Sequence, residues 1–128
     1  MLEPQRQVIQ SYGDGGFKIS GLDYTGSVIV TALKTRSWNL ASIAGIDVKE
    51  FCAEVKCLGE LNVLLLGTGS STFARNAELR SNLQSLGISL EIMDTGAACR
   101  TFNVLAAEER LIAAALIPIQ KNGGQGPP

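Results

Sequence analysis

The chain contains no histidine. That excludes Ser-His-Asp and Cys-His catalysis, His-containing zinc sites and haem held by a proximal His. It also removes the usual carrier of proton transfer near neutral pH. Cysteine is scarce, at three residues: Cys52, Cys57 and Cys99. The number is odd and no pair has Cys-x-x-Cys spacing, so a disulfide framework is not expected and a reducing compartment is. A zinc site would need a carboxylate added to three thiols, and neither a metal nor a cofactor is expected. Charge is sparse too, at 18% of residues with a net charge of −1. No basic field exists to gather nucleic acid. No apolar run approaches the ~18 residues of a membrane span. The opening Met-Leu-Glu-Pro-Gln-Arg-Gln lacks the layout of a secretory signal. A cytoplasmic location is the expectation.

What is present suits one globular domain: 128 residues, 45% of them apolar, enough for a real core. Residues 1–16 are polar, end in Gly13-Asp-Gly-Gly16 and read as a flexible leader. A single α/β domain is expected over 17–118 and a disordered tail over 119–128. Phe17–Ser20 alternates as a short strand does, Gly21–Tyr24 reads as a turn or second short strand, and the β-branched Ser27–Leu33 as a longer one. Asp47 followed by Glu50 three residues later is a capping pattern, predicting a helix over about 48–56.

A strand–helix alternation follows. Asn62–Leu66, continuously apolar after its first residue, reads as a strand covered on both faces. Leu79, Leu83 and Leu86 repeat at helical spacing, and Gly87 ends that helix. Ile88–Met93 reads as a strand, Thr95 to about Glu108 as a helix capped by Thr95, and Leu111–Ile117 as the last strand. Two right-handed crossovers and a parallel core sheet follow, which the earlier strands can extend with antiparallel members.

Two segments carry candidate chemistry. Gly67-Thr-Gly-Ser-Ser-Thr72 joins a strand to a helix. It is half a dinucleotide fingerprint, because Thr72 stands where the third glycine belongs, and no P-loop lysine follows. The plain alternative is a tight turn using glycine backbone angles. Asp94-Thr-Gly-Ala-Ala-Cys-Arg-Thr-Phe-Asn103 joins the next strand to its helix. It would gather a carboxylate, a thiol and a guanidinium at a helix start. Both segments follow parallel strands and should meet at one edge of the sheet, where ligands of α/β folds gather.

Cys99, near a helix start and beside Arg100, has two influences that favour thiolate. Its small apolar neighbours Ala97 and Ala98 favour a packed thiol instead. Arg100 and Asn103, one turn apart, would bind an anion, or satisfy buried carbonyls, or in the case of Arg100 pair with Asp94 or Glu91. Trp38 reads as core or interface filler. The candidate ligand or partner site is thus Gly67, Thr68, Gly69, Ser70, Asp94, Thr95, Cys99, Arg100 and Asn103.

Leu64-Leu-Leu-Gly-Thr-Gly69, Gly87-Ile88, Met93-Asp-Thr-Gly-Ala-Ala-Cys-Arg-Thr-Phe-Asn103, Ala106-Ala-Glu-Glu-Arg110 and Ala113-Ala-Ala-Leu116 resemble one family. It includes mitochondrial respiratory complex I assembly factor 3, the adipogenesis-associated protein with the same domain, and small bacterial and archaeal proteins. The resemblance spans about residues 17–117. It implies a three-layer α/β fold around a mixed, mainly parallel sheet of about five strands, one antiparallel. It implies no cofactor and no established catalysis. It points to protein partners during assembly of a membrane complex, with association at the inner membrane through such a partner. The chain departs from the family in lacking a proline after the Gly-Thr-Gly turn and in having Phe102 for a common tyrosine. A phenol role is not transferable there. The expected function is a protein-contact domain. The alternative is a small-molecule or anion-binding enzyme using the loops Gly67–Gly69 and Asp94–Asn103.

Overall fold

A computed structural model describes residues 6–38, 46–69 and 77–119. The described residues open with three short strands, β1 (Ile9–Gly13), β2 (Gly16–Ile19) and β3 (Leu22–Thr25). They form their own antiparallel meander, in the order β1-β2-β3. The sequence reading of residues 1–16 as a loose leader is therefore corrected over its second half. β1 is short and mostly exposed, so it has no apolar run to betray it. It is held by pairing Ile9 with Ile19 and Tyr12 with Phe17.

The main sheet has the order β5-β4-β8-β6-β7. Its strands are β4 (Ser27–Thr31), β5 (Thr35–Trp38), β6 (Val63–Thr68), β7 (Ser89–Met93) and β8 (Ile112–Ile117). β6 runs parallel to both β7 and β8. β4 is antiparallel to β8 and to β5, so it alone opposes the other four. Of the early strands, β4 and β5 extend the sheet, whereas β1 to β3 do not. β5 was not foreseen, since Thr-Arg-Ser-Trp has no clean alternation. It is held by its ladder to β4, by the Arg36–Glu54 ion pair and by the Trp38 ring, 5.1 Å from that of Phe51.

Among the described residues there are three helices: α1 (Val48–Lys56), α2 (Ala77–Ser85) and α3 (Thr95–Ala107). The Asp47 side chain accepts a hydrogen bond from the Glu50 amide, the N-cap anticipated from the sequence. The chain steps from β6 to β7 in one direction and from β7 back to β8 in the other. Two crossovers of the same hand then put their helices on opposite faces. Accordingly α1 and α2 bury Phe51, Val55, Leu79 and Leu83 against Leu64, Leu66, Ala113 and Ala115. On the other face, α3 and the meander bury Ala98, Cys99, Phe102, Phe17 and Ile19 against Leu65, Ala114 and Leu116. The result is three layers around a mixed sheet. β6 and β8 read as unbroken apolar runs because both of their faces are covered. Ala113, Ala114 and Ala115 leave room for helices on either side of the central strand.

Among the described residues, no helix is long and apolar enough to cross a membrane. Ser70 and the rest of the segment 70–76, and residues 120–128 of the expected tail, lie outside the described residues. Ile119, placed in that tail by the sequence reading, accepts a hydrogen bond from the Gly15 amide at 2.9 Å.

Candidate functional site

The ends of β6, β7 and β8 lie together, and adjacent strands β6 and β7 feed helices on opposite faces. That is the switch point where open α/β sheets form their crevice. Here the crevice is closed by Thr95. Its amide donates to the Gly69 carbonyl at 2.9 Å. Its hydroxyl accepts from the Gly69 amide at 2.8 Å and donates to the Ile117 carbonyl at 2.5 Å. Thr95 is fully buried, so each of these groups needs a partner. One side chain thus ties the ends of β6 and β8 to the start of α3.

The capping residue is Asp94, not Thr95. The Asp94 carboxylate accepts from the Ala97 amide at 2.8 Å. Thr95 is the first helical residue instead, and its hydroxyl is used across the sheet. Gly67, the second-last residue of β6, lies beneath this junction. A Cβ there would lie 3.0 Å from Thr95 Cα and 3.0 Å from a Leu116 methyl, so only glycine lets the helix start sit so close. Gly69 takes φ +87°, a conformation side chains rarely adopt. The Thr68 hydroxyl donates to the Met93 carbonyl at 3.3 Å. The two motif loops therefore meet, as their crossover implies.

The thiol, guanidinium and carboxylate are not brought together. Cys99 faces the core and is 2% exposed. Burial pushes its thiol up from 9.0 to about 12, and the Arg100 charge pulls the other way without offsetting it. Asn103 also turns inward. Its side-chain oxygen accepts from the Ile9 amide and its nitrogen donates to the Ile9 carbonyl, both at 2.9 Å. The amide side chain acts as a short piece of β-ladder that docks β1 on α3.

Arg100 is exposed. Its Nη1 donates to the Tyr12 hydroxyl at 3.2 Å. The pairing with Asp94 or Glu91 weighed from the sequence is not formed. Asp94 is spent on its cap, and Glu91 lies on the neighbouring strand with its carboxylate 3.4 Å from the Ser89 hydroxyl. Tyr12 is the site residue that sequence reasoning missed. It is 88 positions away from its partner and inside the supposed leader. A Cβ on Gly96 would lie 2.7 Å from the Tyr12 hydroxyl. Gly96 in the first turn of α3 leaves room for that ring, but nothing in the local sequence names Tyr12 as its occupant. Among the described residues, no cluster of three metal-ligating side chains occurs.

A three-layer α/β domain whose switch-point crevice is stitched by a buried threonine is thus defined. The chain belongs to the family described as protein of unknown function (DUF498/DUF598), whose pattern matches residues 9–117. It is 40% identical over 111 residues to NADH dehydrogenase (ubiquinone) 1 alpha subcomplex assembly factor 3 of Danio rerio, covering 87% of this chain and 64% of that one. It thus spans slightly less than two thirds of that relative's length. An uncharacterized protein of Rhodobacter capsulatus is 32% identical, over 87% of this chain and 84% of its own. The crystal structure of a Bordetella parapertussis protein superposes with a TM-score of 0.82 at 30% identity, covering 89% of this chain and 97% of that one.

Proposed function

We propose that this domain works through protein–protein contacts in the assembly of a respiratory-type membrane complex, docking a partner at the corner formed by Tyr12 and Arg100. The observation that carries this reading is the Arg100 guanidinium. It is exposed and, among the described residues, makes a single hydrogen bond, to the Tyr12 hydroxyl. Tyr and Arg are the residue types that most often anchor protein interfaces. An acidic side chain of a partner would meet this cation beside an aromatic ring already held in place by Gly96. The assembly-factor name of the Danio rerio relative supports the kind of partner. On this reading the protein is cytoplasmic and reaches the membrane through its partner.

The alternative is a small-molecule or anion-binding enzyme at the loops Gly67–Gly69 and Asp94–Asn103. Its support is position, at the carboxyl ends of parallel strands. Against it, the Asp94 carboxylate already occupies the helix N-terminus where an anion would bind.

The test is capture from detergent-solubilised native membranes with wild-type protein and with Arg100→Glu. Subunits of an NADH dehydrogenase-type complex should be retained by the first and lost by the second. Equal retention by both, or no such subunits at all, defeats the proposal. Titration with phosphate, followed at the Gly69 and Ala97 amides, tests the alternative.

A further inference from the structure

β7 is the last strand of the main sheet. Its ladder to β6 fixes which way its backbone faces. The Ser89 amide donates to Asn62 across that pair, and the parallel register runs Val63 with Ser89 to Gly67 with Met93. In a parallel strand both backbone groups of one residue point the same way, and alternate residues alternate. Ser89, Glu91 and Met93 therefore bond to β6. Leu90 and Ile92 direct their amides and carbonyls away from β6, to the outer edge of the sheet, where Leu90 is 1% exposed beneath Arg80.

A second observation lies at the same edge. A cleft of about 420 Å³ runs between β7 and α2, lined by Arg80, Gln84, Ile88 and Leu90 among others. An edge strand beside a helix-walled cleft is the geometry that accepts an added strand. The backbone supplies affinity, and the cleft receives alternate side chains. Arg80 Nη1 donates to the outward Leu90 carbonyl at 2.6 Å. That hydrogen bond holds one acceptor of the edge until an incoming amide replaces it.

Charge selects the occupant. Leu90 and Ile92 turn their side chains to the face of α1 and α2, so Glu91 projects from the other face, where it is exposed. A second copy could pair antiparallel, Leu90 with Ile92 in both directions, using every outward group of the strand. That register sets Glu91 directly against Glu91 of the other copy, in the closely spaced type of pair. Like charges so placed repel, which disfavours self-pairing. An incoming strand with Lys or Arg at that position gains what the second copy loses.

We propose that the β7 edge is a second contact surface, separate from the Tyr12–Arg100 corner. It takes an extended segment of a partner protein as a sixth strand, with a basic residue facing Glu91 and apolar residues facing the cleft.

The probes are blocked peptides with alternating Val and Lys, alternating Val and Glu, and the Val-Lys peptide N-methylated at alternate residues. Binding is followed by amide NMR shifts of the intact protein. The Val-Lys peptide should move Leu90 and Ile92 most, with the Val-Glu peptide about fivefold weaker, the scale of a cross-strand charge pair. In Glu91→Lys that preference should invert. N-methylation, which keeps the side chains but removes peptide donors, should abolish binding. Shifts that survive N-methylation would overturn strand addition, as would no response at these two amides. Broadening of the same amides with protein concentration alone would assign the edge to a second copy and overturn the choice of occupant. A failure here leaves the Arg100 reading standing, since the tests share no residue.

Discussion

The two sides of α3 carry the same motif to opposite ends. Thr95, Cys99 and Asn103, spaced four apart, turn inward. They stitch the strand ends, fill the core and dock β1. Arg100 and Val104, also four apart, turn outward and are exposed. A motif that looks like one chemical site is thus mostly architecture, with one charged residue free to act on something else. Residues of a helix that share a turn need not share a task, because 100° of rotation per residue separates neighbours in chemistry as well as in space.

The largest effect should come from the inner side. Phe102 is fully buried between the sheet and the meander. Phe102→Ala should cost ~3–5 kcal/mol of stability, read as the denaturant midpoint at unchanged slope. A loss under about 1 kcal/mol would mean that α3 is not packed as described and that the inward–outward division is wrong.

Next comes Thr95. Thr95→Val keeps the shape of the side chain but strands the Gly69 amide and the Ile117 carbonyl. A buried group left without its partner costs about 1–3 kcal/mol. Hydrogen exchange at Gly69 should accelerate in the variant. Were the stitch dispensable, exchange and melting would both match wild type, and the crevice would be available to a ligand after all.

Cys99 gives a smaller, pH-dependent signal. Its thiol titrates near 12 when folded, against an ordinary 9.0. The folded state therefore holds the proton more tightly than the unfolded one. The sign follows: this contribution is fully present below about pH 9 and is lost as pH rises from there through about 12. Melts of wild type and Cys99→Ala across pH 8–11 should show the wild type losing stability faster. Thiol labelling at neutral pH should modify exposed Cys57 and spare Cys99 until the protein unfolds. Rapid labelling of Cys99 in the native state would move it to the outward side and revive a reactive role.

Much of this fold was legible in the sequence, and what was missed has a common cause. β6, β8 and α2 announce themselves through unbroken apolar runs or leucine spacing, because burial on one or both faces writes directly into composition. Asp47 was legible because its cap bond spans three residues. β1 and β5 were not, since they are short, largely exposed strands held by ladders to distant partners. The site divided the same way. That the two loops meet follows from connectivity alone. Which residue caps, and where Arg100 points, did not. Asp94 and Thr95 are both good caps by type, and only the Gly69 and Ile117 backbone decides that Thr95 is needed elsewhere. Tyr12 could not be paired with Arg100 from local sequence, because their contact exists only once the meander packs on α3.

The smallest expected change in stability, and the sharpest test of the comparison, is Arg100→Ala. An outward Arg with one hydrogen bond to an exposed hydroxyl contributes little to folding, so the melting curve should stay within about 0.5 kcal/mol of wild type. If Arg100 instead closed a buried ion pair, its removal would strand a carboxylate and cost about 3–5 kcal/mol. The geometry argues against that, because Asp94 is committed to the Ala97 amide. Binding should respond where stability does not. Loss of an interfacial charge with its partner carboxylate left behind costs about 2–5 kcal/mol, chiefly through faster dissociation. Arg100→Lys should rescue only part of this, since an ammonium keeps the charge but not the planar fork. Tyr12→Phe isolates the hydroxyl: it keeps the ring against Gly96 while removing the hydrogen bond to the guanidinium. If binding survives Tyr12→Phe but not Arg100→Ala, the charge is what the partner reads and the tyrosine only positions it. If both variants fold and bind as wild type does, the outward side of α3 is ordinary solvated surface, and the search for the contact moves to the outer edge of β7.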